Sequence, residues 1–183
     1  MLSHQEIVAI WGEANVRTVS ATVLDTRPLP PEAKLVLGVV GVPHKPDLFG
    51  ITLLDEESLH LPRIIFPDSP DQWFRIGLIW RVERQICVHS ATGEVRCLVR
   101  SHVGEPFLMN SSLGALVEFL SVFRQSWVRM SGYHGVGPKR WREISTAAAI
   151  PVEYAWRQID GKAVEPDTYW STILEEVKAG ILS

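Results

Sequence analysis

Two cysteines in 183 residues, Cys87 and Cys97, are too few for a disulfide framework and leave no second pair for a four-ligand zinc site. No window approaches the roughly 18 uninterrupted apolar residues of a membrane-spanning helix. Residues 1–24 also lack the basic head and apolar run of a secretory signal. A cytoplasmic chain with no membrane association is expected.

The signatures of common chemistry are missing too. There is no G-x-x-x-x-G-K-[ST] loop and no G-x-G-x-x-G after a strand, so the usual backbone cradle for a nucleotide is excluded. The nearest approach is GYHGVGPK at residues 132–139. There Pro138 removes one amide donor, and no Ser or Thr follows Lys139 to hold a metal ion, so the segment reads as a loop. The histidines His4, His44, His60, His89, His102 and His134 show no paired ligand spacing. A nucleophile elbow G-x-S-x-G is absent. Adjacent carboxylates Asp55, Glu56 and Glu57 point apart in a strand or turn, and a polar turn after ITLL accounts for them. No catalytic residue, cofactor or metal is expected.

What is present is the composition of a folded domain, with 46% hydrophobic and 21% charged residues. One domain over residues 1–183 is expected. Net charge is −3, distributed unevenly: residues 1–72 carry 5 basic and 10 acidic groups, residues 73–142 carry 10 and 4, and residues 143–183 carry 3 and 7. Such asymmetry can prepare complementary patches for a partner. The most basic stretch interleaves Arg124, Arg129, Lys139, Arg140 and Arg142 with Trp127, Tyr133 and Trp141, the mixture nucleic-acid binders use. The overall pI of about 6.1 argues against that role.

Ser3 and Glu6 have capping-box spacing, which predicts a first helix ending near Gly12. Residues 16–24 favour a strand or extended connection. Pro31 suits the first position of a helix through Leu37 that stops at Gly38 or Gly41. FGITLL, LPRIIF and FRIGLIW then read as consecutive strands. In RQICVHSATGEVRCLVR a two-residue Thr92–Gly93 turn sets Ala91 opposite Glu94. That places Ile86, Val88, Val95, Cys97 and Val99 on one face and Cys87, His89, Arg96, Leu98 and Arg100 on the other, with the cysteines unbonded. Asn110 or Ser111 caps a helix whose Leu113, Leu116, Val117, Phe119, Leu120 and Phe123 form a broad apolar stripe. Residues after 138 show no clear pattern until Asp167 or Thr168 opens a terminal helix through Lys178. This order predicts an α+β fold.

Three of these segments resemble a known family. The strand entering with a glycine, the turn at Thr92, Gly93 and Val95, and the NSSL opening an apolar helix at Asn110 to Leu113 resemble the central block of the SUKH superfamily, in its fourth immunity-protein subfamily. LGVVGVP at residues 37–43 resembles its early glycine-rich element, and DTYWSTILEEVKAG its closing helix. Residues 124–164 depart from the pattern, being longer and more basic. The resemblance implies an α+β fold with a curved, largely antiparallel sheet flanked by helices. It also implies a non-catalytic role: binding and neutralising a cognate protein toxin, often a nuclease or nucleic-acid deaminase, of a bacterium. Members share no fixed catalytic set, so no functional residue carries over. A nuclease cleft is basic, which favours an acidic docking patch. Asp55, Glu56, Glu57, Asp68 and Asp71 are the expected contacts, with Trp73 as apolar anchor. A nucleic-acid-binding or adaptor module of the same fold is the alternative, and self-association is left open.

Overall fold

The computed structural model describes residues 1–46, 48–64, 72–79, 84–99, 107–133 and 135–181. Helix α1, His4–Trp11, begins as predicted: the Ser3 hydroxyl accepts from the Glu6 amide and the Glu6 carboxylate accepts from the Ser3 amide, while Gly12 with φ 81° ends it. The expected extended connection is only two residues long, β1 Val16–Arg17. Residues beyond it turn into α2, Ala21–Asp25, with Ser20 at its N-cap. Pro31 opens α3, Pro31–Leu35, which runs on through a π-helical turn over Val36–Val40 to Gly41. β2, Val42–Pro43, then pairs back on β1.

The main sheet is antiparallel throughout. It comprises β3 Ile51–Leu53, β4 Arg63–Ile64, β5 Trp73–Ile79, β6 Arg84–His89, β7 Val95–Val99 and β8 Phe107–Asn110, in the order β3-β5-β6-β7-β8. Strands β3 and β4 lie end to end along one side of β5. Gly77 in β5 is required by this approach, because a Cβ there would stand 2.4 Å from the Thr52 carbonyl oxygen. A bulge between Arg75 and Gly77 bends β5 at that point.

The β6–β7 hairpin departs from the expected register by two residues. Ile86 faces Cys97 and Val88 faces Val95, around a four-residue loop in which His89 meets Glu94. Side-chain chemistry explains the longer loop. His89 Nδ1 accepts from the Thr92 amide at 3.2 Å, Thr92 Oγ1 accepts from the Glu94 amide at 3.3 Å, and Gly93 takes φ 76°. A shift of two preserves the period of the strand, so the expected faces survive. Ile86, Val88, Val95 and Cys97 enter the main core, and Cys87 and Leu98 join Trp73 and Ile64 on the other face. Arg100 and the Val99 side chain lie outside the described residues, as do Trp80 and Arg81.

Three longer helices complete the chain: α4 Leu113–Met130, α5 Pro138–Asp160 and α6 Tyr169–Ala179. The predicted stripe of α4 is buried throughout, and Ser112, not Asn110 or Ser111, receives the Ala115 amide at its N-terminus. Helix α5 is the longest element missing from the sequence reading, which also lacked α2 and β8. Pro138 starts it, and Ser145, Ala149, Val152 and Trp156 are its inward stripe. Thr168 caps α6 as expected. The core is aromatic where α4, α5 and α6 meet: Trp156 stacks on Phe119 at 4.9 Å, and Trp170 lies 4.9 Å from Trp156. Three buried indoles donate within this core, Trp11 to Ser121 Oγ, Trp156 to the Phe119 carbonyl and Trp170 to Asn110 Oδ1.

Both cysteines are buried and unbonded, on opposite faces of the sheet. Burial raises both thiols, Cys97 to about 11 and Cys87 further. Since the thiolate is the nucleophile, neither should react with iodoacetamide at neutral pH until denaturant opens the fold. Mass spectrometry of the labelled chain checks this, and rapid alkylation of the native protein would contradict the packing.

Candidate partner-binding site

The turn after β3 is a fixed loop. Leu54 and Leu61, both fully buried, bound it with φ 47° and 45°, a left-handed backbone that bulky side chains rarely adopt. Such conformations persist where surrounding contacts over-determine them, and here three arginines do so. Arg17 Nη1 donates to the Leu54 carbonyl at 2.9 Å and to Glu56 at 3.2 Å. Arg27 donates to the Leu61 and His60 carbonyls at 3.1 and 3.0 Å, with its guanidinium 5.7 Å from the Phe74 ring centre. Arg75, 6% exposed, donates to Ser58 Oγ at 3.1 Å and pairs with Asp55 at 3.3 Å and Glu57 at 2.8 Å. Ser58 Oγ also donates to Asp55.

The loop therefore brings together Asp55, Glu56 and Glu57 from the expected set. Asp55 is half-buried, whereas the Glu56 and Glu57 side chains are 87% and 70% exposed. Arg17 pairs with Glu56, and Arg75 with Asp55 and Glu57, so each of the three carboxylates has a guanidinium partner. Asp68 and Asp71 lie outside the described residues. Trp73, expected as an exposed anchor, is 6% exposed, with its ring 4.7 Å from that of His89 on the outer face of the sheet.

The arginines are what sequence reasoning missed. Arg75 had a readable signal, a single charge inside the apolar run FRIGLIW. Arg17 and Arg27 had none, because their acceptors are carbonyls more than thirty residues away.

Several residues of the basic aromatic stretch are tied into the fold. Arg124 lies 5.6 Å from the Trp11 ring centre, Arg140 pairs with Glu143, and Arg142 donates to the Ala179 carbonyl. Trp127 and Trp141 are half-buried and pack edge to face at 6.3 Å. His102 and His134 are outside the described residues. Among the described residues no three His, Cys, Asp or Glu side chains gather as a metal site, and no helix is long and apolar enough to cross a membrane.

The family model for SUKH-4 immunity protein matches residues 2–176. The chain belongs to the SUKH-4 immunity protein family. Comparison with curated proteins and with solved structures returned no match. Family membership supports an immunity role.

Structure explains what the segments that resemble SUKH-4 proteins do here. In LGVVGVP, a Cβ on Gly38 would stand 2.7 Å from Leu24 and one on Gly41 2.6 Å from Val16, so both glycines permit close packing. Thr92 and Gly93 build the hairpin turn. Asn110 and Ser111 grip Asp160, through Asn110 Nδ2 at 3.4 Å, the Ser111 amide at 2.6 Å and Ser111 Oγ at 2.9 Å. All three segments serve the fold, and the exposed carboxylates of the loop lie outside them.

Proposed function

We propose that the chain is a non-catalytic cytoplasmic immunity protein that binds and neutralises a cognate bacterial toxin, a nuclease or nucleic-acid deaminase. The family match over residues 2–176 carries this reading. A protein of this kind needs only a preorganised surface complementary to its toxin, and the arginine-pinned loop supplies one: binding loses little to loop ordering. Glu56 and Glu57 are proposed as the contacts for basic groups lining the toxin's substrate cleft. Asp55 positions Arg75 beneath them. Asp68 and Asp71 stay in the proposal on sequence grounds, while Trp73, buried with Cys87 and Leu98 on the outer face of the sheet, leaves it.

Affinity capture from the native bacterium, with partners identified by mass spectrometry, tests the reading. Recovery of a multidomain protein bearing a toxin domain supports it; recovery of nucleic acid alone counts against it. With that toxin in hand, the double substitution Glu56→Lys, Glu57→Lys should slow association by roughly 10-fold or more, since charge at an interface rim acts mainly on the on-rate. Stability should fall by about 1–3 kcal/mol, because Glu57 is an ion-pair partner of the buried Arg75 guanidinium, and the binding comparison is made with protein shown to be folded by circular dichroism. An unchanged on-rate, measured by stopped flow at low salt, would remove the loop from the interface.

A further inference from the structure

We propose that the outer face of α5 is a self-association surface on which a second copy of this chain docks antiparallel about Ile150. Glu143, Ala147, Ile150, Tyr154 and Arg157 are all exposed. They follow one another at intervals of four and three, the spacing that keeps side chains on a single stripe of a helix. The apolar centre of the stripe is open to solvent, with Ile150 63% and Tyr154 69% exposed. The opposite stripe of the same helix, through Ala149, Val152 and Trp156, is buried. Helix α5 is therefore amphipathic toward the core and carries a second, narrower apolar line facing outward.

Charge selects the occupant. Glu143 and Arg157 stand seven residues before and after Ile150, about 10 Å along the helix on either side. In an antiparallel pair with its two-fold axis at Ile150, Glu143 of each copy faces Arg157 of the other. A parallel pair would set glutamate on glutamate and arginine on arginine. Each charge already has an intrachain partner of opposite sign, Arg140 for Glu143 at 3.0 Å and Glu153 for Arg157 at 2.9 Å. Docking interleaves these pairs into a ladder of alternating sign at both ends of the stripe. Between the ladders, small Ala147 lies one turn before the axis and leaves room for Tyr154 of the partner copy, one turn after it. The interface is isologous and closes at two. A single helix pair buries less than the roughly 800 Å² per partner of a standard interface, so the dimer should dissociate on dilution.

Sedimentation velocity of the full chain over a concentration series should show a monomer–dimer equilibrium. Ile150→Asp should abolish it while circular dichroism and the melting temperature stay at the parent values, because the residue is exposed. Glu143→Arg and Arg157→Glu should each weaken the dimer by roughly 5-fold or more, and the two together should restore it, which a merely apolar contact would not do. Ile150→Cys, next to its own image on the axis, should crosslink on mild oxidation, with the two native thiols buried and silent. A chain that stays monomeric throughout the series, a dimer indifferent to Ile150→Asp, or a charge swap that fails to rescue would overturn the proposal. So would a monomer whose toxin binding is lost in Ile150→Asp, which assigns this face to the toxin.

Discussion

Replacing Trp156 by alanine should lower the free energy of unfolding by about 3–5 kcal/mol, the range for removing a fully buried large aromatic, and the melting temperature by on the order of 10 °C. Trp156 is completely buried at the meeting of α4, α5 and α6, stacked on Phe119 with an interplanar angle of 2° and 28° from coplanar with Phe123. Its indole N–H donates to the Phe119 carbonyl at 3.0 Å. Loss of the ring leaves a void and an unmatched face on three aromatic neighbours, Phe119, Phe123 and Trp170. Trp156→Phe separates the contributions: the stack is kept, the hydrogen bond is lost, and about 1–2 kcal/mol should disappear. Urea denaturation of the parent and both variants gives the order. A Trp156→Ala variant within about 1 kcal/mol of the parent would mean that α5 does not close the core.

That helix is also where sequence reading stopped. Patterning found α1, α4, α6 and the strands β3 to β7 because their buried residues are mostly large apolar side chains at periods of 3.6 or 2. The inward stripe of α5 begins with Ser145 and Ala149, which carry almost no hydrophobic signal, and Pro151 interrupts it. Pro151 is exposed and lacks the amide that would otherwise donate to the Ala147 carbonyl. The hairpin failed differently. The alternation was readable and gave the correct faces, but the register depended on a His89 side chain accepting from the turn, which no two-residue turn rule anticipates.

The candidate loop was legible in part. Asp55, Glu56 and Glu57 stood out as a polar turn after an apolar run. The field they produce did not, because their partners Arg17 and Arg75 come from β1 and β5. Local sequence registers where carboxylates are, and only the fold registers what neutralises them. The charge count over residues 1–72 includes two of the three arginines that pin the loop but not their positions.

Asp160 offers the sharpest test of how the segments that resemble the family act. Its carboxylate, in a residue 8% exposed, accepts from the Ser111 amide, the Ser111 hydroxyl and the Asn110 amide group, and Asn110 passes the connection on to the Trp170 indole. The chain holds the end of α5, the junction of β8 with α4 and the start of α6 at one point. Asp160→Ala should therefore cost about 2–4 kcal/mol, because it strands buried donors as well as removing hydrogen bonds to a charge. Asp160→Asn keeps the shape and one acceptor oxygen but turns an NH₂ toward Ser111, and should cost less, about 1–2 kcal/mol. In a double-mutant cycle, Ser111→Ala should add little once Asp160 is gone, giving a coupling of at least about 1 kcal/mol by chemical denaturation. Additive losses would show that the two side chains act independently, and that Asn110 and Ser111 owe their place to something other than this clasp. Glu56 and Glu57 are not part of this network, so folded Asp160→Asn protein should bind the toxin with the parent on-rate. A stability defect without a binding defect is the pattern that separates the fold-holding residues from the proposed recognition surface.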